Sequence, residues 1–218
     1  MSVTIPQSHA EWLESRRDGI GASDAAAVLG MSRWKTNLQL WQEKTGRRTP
    51  EDIGDKPQVH YGKEAEQYIR GLFALDHPEF RVTYDSPFKI IRSDELPFLF
   101  CTPDGELEEI QTGRRGGLEI KTTEIRNRTQ WAEWNERIPD TYYCQVLHQM
   151  LSAGWEFVVL RAQIKWTTRD GEKRLDTRDY HIERKEVLGD IEALREAEIT
   201  FWRAVEEETQ PGLILPAI

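Results

Sequence analysis

The spacing of apolar residues switches between the helical and the strand period along this chain, and turn residues mark the changes. Ser8 to Arg17, with Trp12 and Leu13, reads as a short helix that breaks at Gly19-Ile20-Gly21. Ser23 then stands where an N-cap belongs, ahead of the helix-favouring run Asp24 to Leu29, and Gly30 is placed to end that helix at C′. Asn37 to Lys44 predicts another short helix, stopped at Gly46, and Arg47 to Pro57 an exposed connection. From Gly62 to Leu75 the residues Ala65, Tyr68, Ile69, Leu72 and Phe73 recur at helical spacing, which predicts an amphipathic helix packed on the core.

The period then shortens. Runs rich in β-forming residues at Arg81 to Tyr84, Phe88 to Ile91, Phe98 to Cys101, Leu107 to Ile110 and Gly117 to Thr122 predict a meander of strands. Tyr142 to Ser152 returns to helix, with Tyr143, Val146, Leu147, Met150 and Leu151 on one face and Gly154 closing it. Trp155 to Trp166 and Arg174 to Arg184 predict two long strands joined across Asp170-Gly171. A long acidic amphipathic helix from Lys185 to Glu208 ends the pattern before Pro211. The expected fold class is α/β (α+β), one central mixed sheet flanked by helices. The expected organisation is a single domain over 1–218, with an N-terminal helical part (8–46), a core (60–185) and a C-terminal helix (186–208).

Length and composition narrow the function classes. The 218 residues, with 38% hydrophobic positions and 8 Trp, suffice for a packed core and exclude a disordered chain. No run of 18 apolar residues occurs, and Met1 to Ala10 lacks the order of a secretory signal, so a cytoplasmic protein without membrane association is expected. Cys101 and Cys144 are too few for a disulfide framework, a zinc ribbon or a four-thiolate cluster. The net charge of −9 argues on its face against nucleic acid. Lys185 to Ile218, however, holds 3 basic and 8 acidic residues, whereas Gln111 to Arg128 holds 5 basic and 2 acidic. A local basic strip, or metal ions held by carboxylates, lets an acidic protein bind phosphates.

The candidate chemistry centres on Thr102-Pro103-Asp104-Gly105 and Glu119-Ile120-Lys121. Glu119 and Lys121 lie two apart on a predicted strand, so both project from one face, near an aspartate delivered by a sharp turn. Carboxylates with few other ligands suit Mg²⁺, or Mn²⁺, which keep waters and bind one or two carboxylates plus substrate phosphate. The lysine would orient or help deprotonate an attacking water, or neutralise charge on the phosphate. Glu64 and Glu66 flank the apolar face of the Gly62 to Leu75 helix, and spacing alone does not choose between them as a third acid. Gln145 lies opposite the apolar face of its helix.

Pro103-Asp104 with Glu119-x-Lys121 resembles the core of the PD-(D/E)xK nuclease superfamily. Trp12 with Arg16, Ile20-Gly21-Ala22-Ser23-Asp24, Leu40-Trp41-x-x-Lys44-x-Gly46, Gly62-Lys63-x-x-Glu66, Asp85-Ser86-Pro87 and Tyr143-x-Gln145-Val146 narrow the resemblance to the YqaJ-like viral recombinase family, which includes phage lambda exonuclease. That resemblance implies Asp104, Glu119, the Ile120 carbonyl and Glu66 at the metal, Lys121 positioning the hydrolytic water, and Gln145 at the active site. It implies a 5′-phosphate pocket at Arg16 and Ser23, consistent with an anion at a helix N-terminus gripped by a guanidinium. It further implies a Mg²⁺-dependent 5′-to-3′ exonuclease on double-stranded DNA ends, working as a homotrimer and leaving 3′ overhangs for a single-strand annealing protein. The rivals are an endonuclease or helicase-coupled nuclease of the same fold, and a DNA-end binding module without turnover.

Overall fold

The structure, a computed structural model, describes residues 1–135 and 137–215. Strand β1 (Ser2–Thr4) precedes helix α1 (His9–Ser15), strand β2 (Ile20–Gly21), a 3₁₀ turn (Ala22–Asp24), α2 (Ala25–Val28) and α3 (Asn37–Lys44). Helix α4 (Pro57–Asp76) leads into β3 (Phe80–Thr83), β4 (Ile90–Arg92), β5 (Leu99–Cys101), β6 (Gly105–Glu109) and β7 (Arg115–Ile125). The chain continues through α5 (Arg128–Glu133), α6 (Asp140–Ala153), β8 (Phe157–Thr167), β9 (Lys173–Glu183) and α7 (Leu188–Glu206). Among the described residues no helix is long and apolar enough to cross a membrane.

The strands form two mixed sheets rather than the expected single one. One has the order β1-β4-β5-β2, the other β3-β6-β7-β8-β9. The expected meander is cut because β4 and β5 are buried on both faces, Ile90, Ile91, Leu99, Phe100 and Cys101 all being inaccessible, so their hairpin needs cover on each side. Between β5 and β6 stand Thr102-Pro103-Asp104, and Pro103, which has no N–H to give to a ladder, ends the pairing where the chain crosses from one sheet to the other. β3 reaches past the hairpin to pair antiparallel with β6, while β7 and β8 run parallel from Gly116↔Phe157 to Ile125↔Trp166. Gly116 and Gly117 open β7 because a Cβ there would lie 2.5 Å from the Phe157 ring and 2.1 Å from that of Trp155.

Helix α6 lies at the centre, with Cys144, Val146, Leu147, His148, Gln149, Met150, Ser152 and Ala153 all buried, so it is covered far beyond the single apolar face its period suggested. His148 Nδ1 lies 2.6 Å from Glu198 Oε1 on α7, and its Nε2 2.9 Å from the Phe100 carbonyl on β5. Both ring nitrogens therefore face acceptors, which requires an imidazolium. Burial alone would lower the His148 pKa, yet the Glu198 carboxylate and the Phe100 carbonyl outweigh it and raise it. The acidic α7 is thus not simply a solvated helix: Ile191, Leu194, Phe201 and Val205 pack inward together with Glu198.

Helix α4 begins at Pro57, five residues earlier than its period showed, since proline costs nothing at the first helical position. Its inner face is Ile69 and Phe73, while Tyr68 and Leu72, expected in the core, are exposed. The expected helix at Asp24 is split into the 3₁₀ turn and the four-residue α2, with Ser23 inside the turn rather than capping it. Asp24 displaces it, accepting the Gly21 N–H at 3.3 Å through its own carboxylate.

Candidate active site

The crossover between the sheets delivers Asp104 against the middle of β7, where its Oδ2 accepts the Ile120 N–H at 2.8 Å. Glu119 and Lys121 extend from the same face of β7, with Lys121 Nζ 2.5 Å from Glu119 Oε1. From α6, Gln145 donates to Glu119 Oε1 at 2.6 Å and Gln149, one turn on, donates to Oε2. Glu66 arrives on α4, and Gly62 one turn earlier lets the helix approach, since a Cβ there would stand 3.3 Å from the Thr122 hydroxyl. These residues line one cleft of about 200 Å³: Glu66, Asp104, Glu119, Lys121 and Gln145, with Gly62, Ile120 and Thr122. Glu64 is not among them, so the tertiary structure makes the choice that helical spacing left open.

Three carboxylates meet Lys121 and Arg70 here. Arg70 reaches Glu66 Oε1 at 3.1 Å, donates to the Asp104 carbonyl and stacks 3.5 Å from the centre of the Tyr84 ring. Burial, reinforced by the charges of Glu119 and Glu66, raises the Asp104 carboxyl well above the ordinary range. Burial also raises Glu66, against the pull of Arg70. Lys121 behaves oppositely: burial would lower it, but Glu119 and Asp104 outweigh that and hold it above its ordinary value as an ammonium.

No three His, Cys, Asp or Glu side chains among the described residues converge as a ready metal cage. The donor set nevertheless suits a hard cation that keeps its waters and needs one or two carboxylates. The Ile120 N–H goes to Asp104 Oδ2, which leaves Oδ1 for another partner. Glu119, only 2% exposed, has two donors on Oε1 and one on Oε2, which leaves an acceptor position on Oε2.

Arg16 and Ser23 also meet, the guanidinium Nη2 lying 3.4 Å from the Ser23 hydroxyl. The Trp12 ring centre is 4.5 Å from the guanidinium carbon and that of Phe100 5.7 Å, so aromatic faces hold the fork. Asp24 closes the group, paired with Lys44 Nζ at 2.9 Å, while Lys44 donates to the Arg16 carbonyl at 3.1 Å. Asp24 is buried, which would raise its pKa, but Lys44, Lys35 and Arg16 pull it far below the ordinary range. The expected helix-end contribution is absent, because a four-residue α2 has little macrodipole to offer. The expected basic strip is largely neutralised as well: Arg114 pairs with Glu183, Lys121 with Glu119 and Arg126 with Glu124.

Gln149 and Arg70 stand outside the residues expected at the site from the sequence. Gln149 follows Gln145, and Arg70 follows Glu66, by four positions, and that spacing of helical neighbours is the sequence signal by which they could have been found. Thr102, two residues before Asp104, has a buried hydroxyl without a hydrogen-bond partner among the described residues.

The model of the YqaJ-like viral recombinase domain matches residues 11–156, a span that contains every one of these side chains. The chain belongs to the YqaJ-like viral recombinase family. The uncharacterized protein YqaJ of Bacillus subtilis (strain 168) is 32% identical over 200 residues, which cover 89% of this chain and 56% of that protein. The chain thus spans about half the length of this curated YqaJ relative. Solved structures share the fold: an alkaline exonuclease from Laribacter hongkongensis has a TM-score of 0.66 at 20% identity, covering 92% of this chain and 94% of its own. A phage related exonuclease from Haemophilus somnus 129PT has a TM-score of 0.52 at 11% identity, covering 87% and 96%. The YqaJ-like architecture here, mixed sheets flanked by helices, is of the restriction-endonuclease-like class.

Proposed function

We propose that residues 1–218 form one nuclease unit, a Mg²⁺-dependent exodeoxyribonuclease that degrades one strand of linear double-stranded DNA from its 5′ end. The observation that carries this reading is the cleft itself: Asp104, Glu119 and Glu66 from three separate elements, Lys121 paired to Glu119, and Gln145 donating to the same carboxylate. Asp104, Glu119 and the Ile120 carbonyl would hold the ion, and Glu66 would complete its surroundings. When bound, a divalent cation polarises the scissile phosphate and acidifies a water. Gln145 and Gln149 keep the Glu119 carboxylate in one orientation, and Lys121 brings a fixed positive charge to the phosphate as charge builds on it. Arg16, beside the Trp12 and Phe100 rings, and Ser23 take the terminal 5′-phosphate, for which the planar fork is suited.

Family membership, the solved exonucleases of like fold and the binding of dAMP by the Laribacter enzyme support DNA as substrate. The product is a 3′ overhang handed to a single-strand annealing protein. The assembly proposed is a homotrimer; an apolar stripe on α4, where Tyr61, Tyr68, Leu72 and Leu75 fall within one side of the helix and are 41%, 69%, 55% and 79% exposed, supports a contact between chains. The test is digestion of end-labelled duplex in Mg²⁺ and in excess EDTA, by the wild type and by Asp104→Ala and Glu119→Ala. Cleavage lost in EDTA and in both variants is expected; wild-type rates in EDTA would overturn the assignment.

A further inference from the structure

A second cavity, of about 220 Å³, opens beside the catalytic cleft, between the loop after α2, the end of β7 and the first turn of α6. From this cavity we infer a binding site for a single unstacked nucleobase of the DNA strand lying in the cleft, held between Trp34 and Tyr142. The inference rests on the nuclease reading above and adds a subsite to it.

Trp34 is 68% exposed although its loop is tied down. The Ser32 hydroxyl accepts the N–H groups of Trp34 and Lys35 at 3.2 and 3.3 Å, and the Thr141 hydroxyl donates to the Met31 carbonyl at 3.2 Å, which fastens the loop to the start of α6. The Trp34 and Tyr142 rings stand 6.4 Å apart between centroids, are tilted by 36°, and both line the cavity. Behind Tyr142 lies the buried Trp134, 5.7 Å away, which backs the ring from the protein side. A volume below the about 300–1,000 Å³ of drug-sized pockets suits one flat ring system.

The neighbourhood identifies the occupant. Tyr142 is shared: Lys121 Nζ lies 5.0 Å from the centre of its ring, so the slot begins one ring away from the catalytic lysine. Thr122 lines the cleft and the adjacent Thr123 lines the slot, on the same strand. Gln130 and Thr141 give the slot hydrogen-bonding edges, and Arg33, paired with Glu133, stands at its rim. An aromatic face with polar edges, immediately beside a group that handles phosphate, is the chemistry that recognises a base attached to that phosphate. Any base has a π-face, so such a slot grips without demanding a sequence.

The experiment measures binding of the full-length chain, in EDTA, to 5′-phosphorylated duplexes in which the terminal positions of the 5′ strand are replaced one at a time by an abasic analogue. Removing the base that enters the slot should weaken wild-type binding about 5- to 150-fold at one or two positions. In Trp34→Ala that position-specific penalty should vanish, because the platform is already gone, while Trp34→Phe should keep most of it. Thermal unfolding confirms that each variant is folded. An abasic penalty in Trp34→Ala equal to that of the wild type at every position, or no penalty at any position in the wild type, overturns the slot. Digestion of unmodified duplex by the wild type in Mg²⁺ is run alongside: absent digestion sinks the nuclease reading, whereas normal digestion without the Trp34 coupling sinks only the slot.

Discussion

Lys121 and Glu119 are an ion pair in the structure, and a pair of this kind on a strand is compatible with a purely structural role. The two roles separate on substitution. If the ammonium acts on the phosphate, Lys121→Ala should bind DNA nearly as the wild type does and lose about 10²–10³ in turnover, measured under single-turnover conditions. Near-normal turnover would return Lys121 to a structural partner of Glu119. Arg16 is argued in the same way. A terminal phosphate carries more charge than an internal diester, and a 5′-hydroxyl offers no anion, so wild-type protein should degrade 5′-phosphorylated duplex faster than the hydroxyl form and spare closed circles. Arg16→Ala should erase most of that preference, and Arg16→Lys should restore little, because a point charge does not reproduce the fork stacked on Trp12. Equal initial rates on both ends in the wild type would favour the endonuclease alternative.

At the scale of elements, α6 joins the site to the core: Gln145 and Gln149 face Glu119, and His148, on the adjacent flank of the same helix, holds Glu198 of α7 and the Phe100 carbonyl of β5. The buried His148–Glu198 pair gives stability a pH signature. Its folded pKa lies above the about 6.5 of an unfolded histidine, so the contribution is complete below that value and is lost as pH rises through the folded one. Urea unfolding followed from neutral to alkaline pH should show this decline in the wild type. Glu198→Gln removes the counter-charge and leaves burial as the leading influence on His148, so it should cost about 3–5 kcal/mol at neutral pH and weaken or abolish that decline. A variant as stable as the wild type across that range would show that the pair is dispensable.

For the whole molecule, the exposed stripe on α4 is the feature that a lone chain explains least. It lies on the helix that also carries Glu66. Sedimentation should find about three chains per particle, and Leu72→Glu with Leu75→Glu should give smaller particles that still cut DNA, less processively. A monomer at every concentration would remove the ring and leave the chemistry untouched.

Local sequence determined most elements and brought Asp104, Glu119 and Lys121 forward as the candidate chemistry. The periods placed α3, α6, α7 and the β8–β9 hairpin, and the turn at Pro103-Asp104 with Glu119-x-Lys121 marked the chemistry, because side-chain direction along one strand or helix follows from spacing alone. The short pieces β1 and β2 lay below that resolution, since two or three residues do not define a period, and the six residues of α5 make fewer than two turns. Helical spacing did not choose between Glu64 and Glu66, although the resemblance pointed to Glu66, and the sequence did not determine which strands share a sheet, that Ser23 yields its capping place to Asp24, or that a glutamate of the acidic C-terminal helix lies fully buried against His148. Those outcomes depend on partners far away in the chain: the two-sided burial of β4 and β5, the approach of α4 permitted at Gly62, and the pairing of Asp24 with Lys44. The energies that decide them, desolvation and ion pairing, exist only once those partners have been brought together.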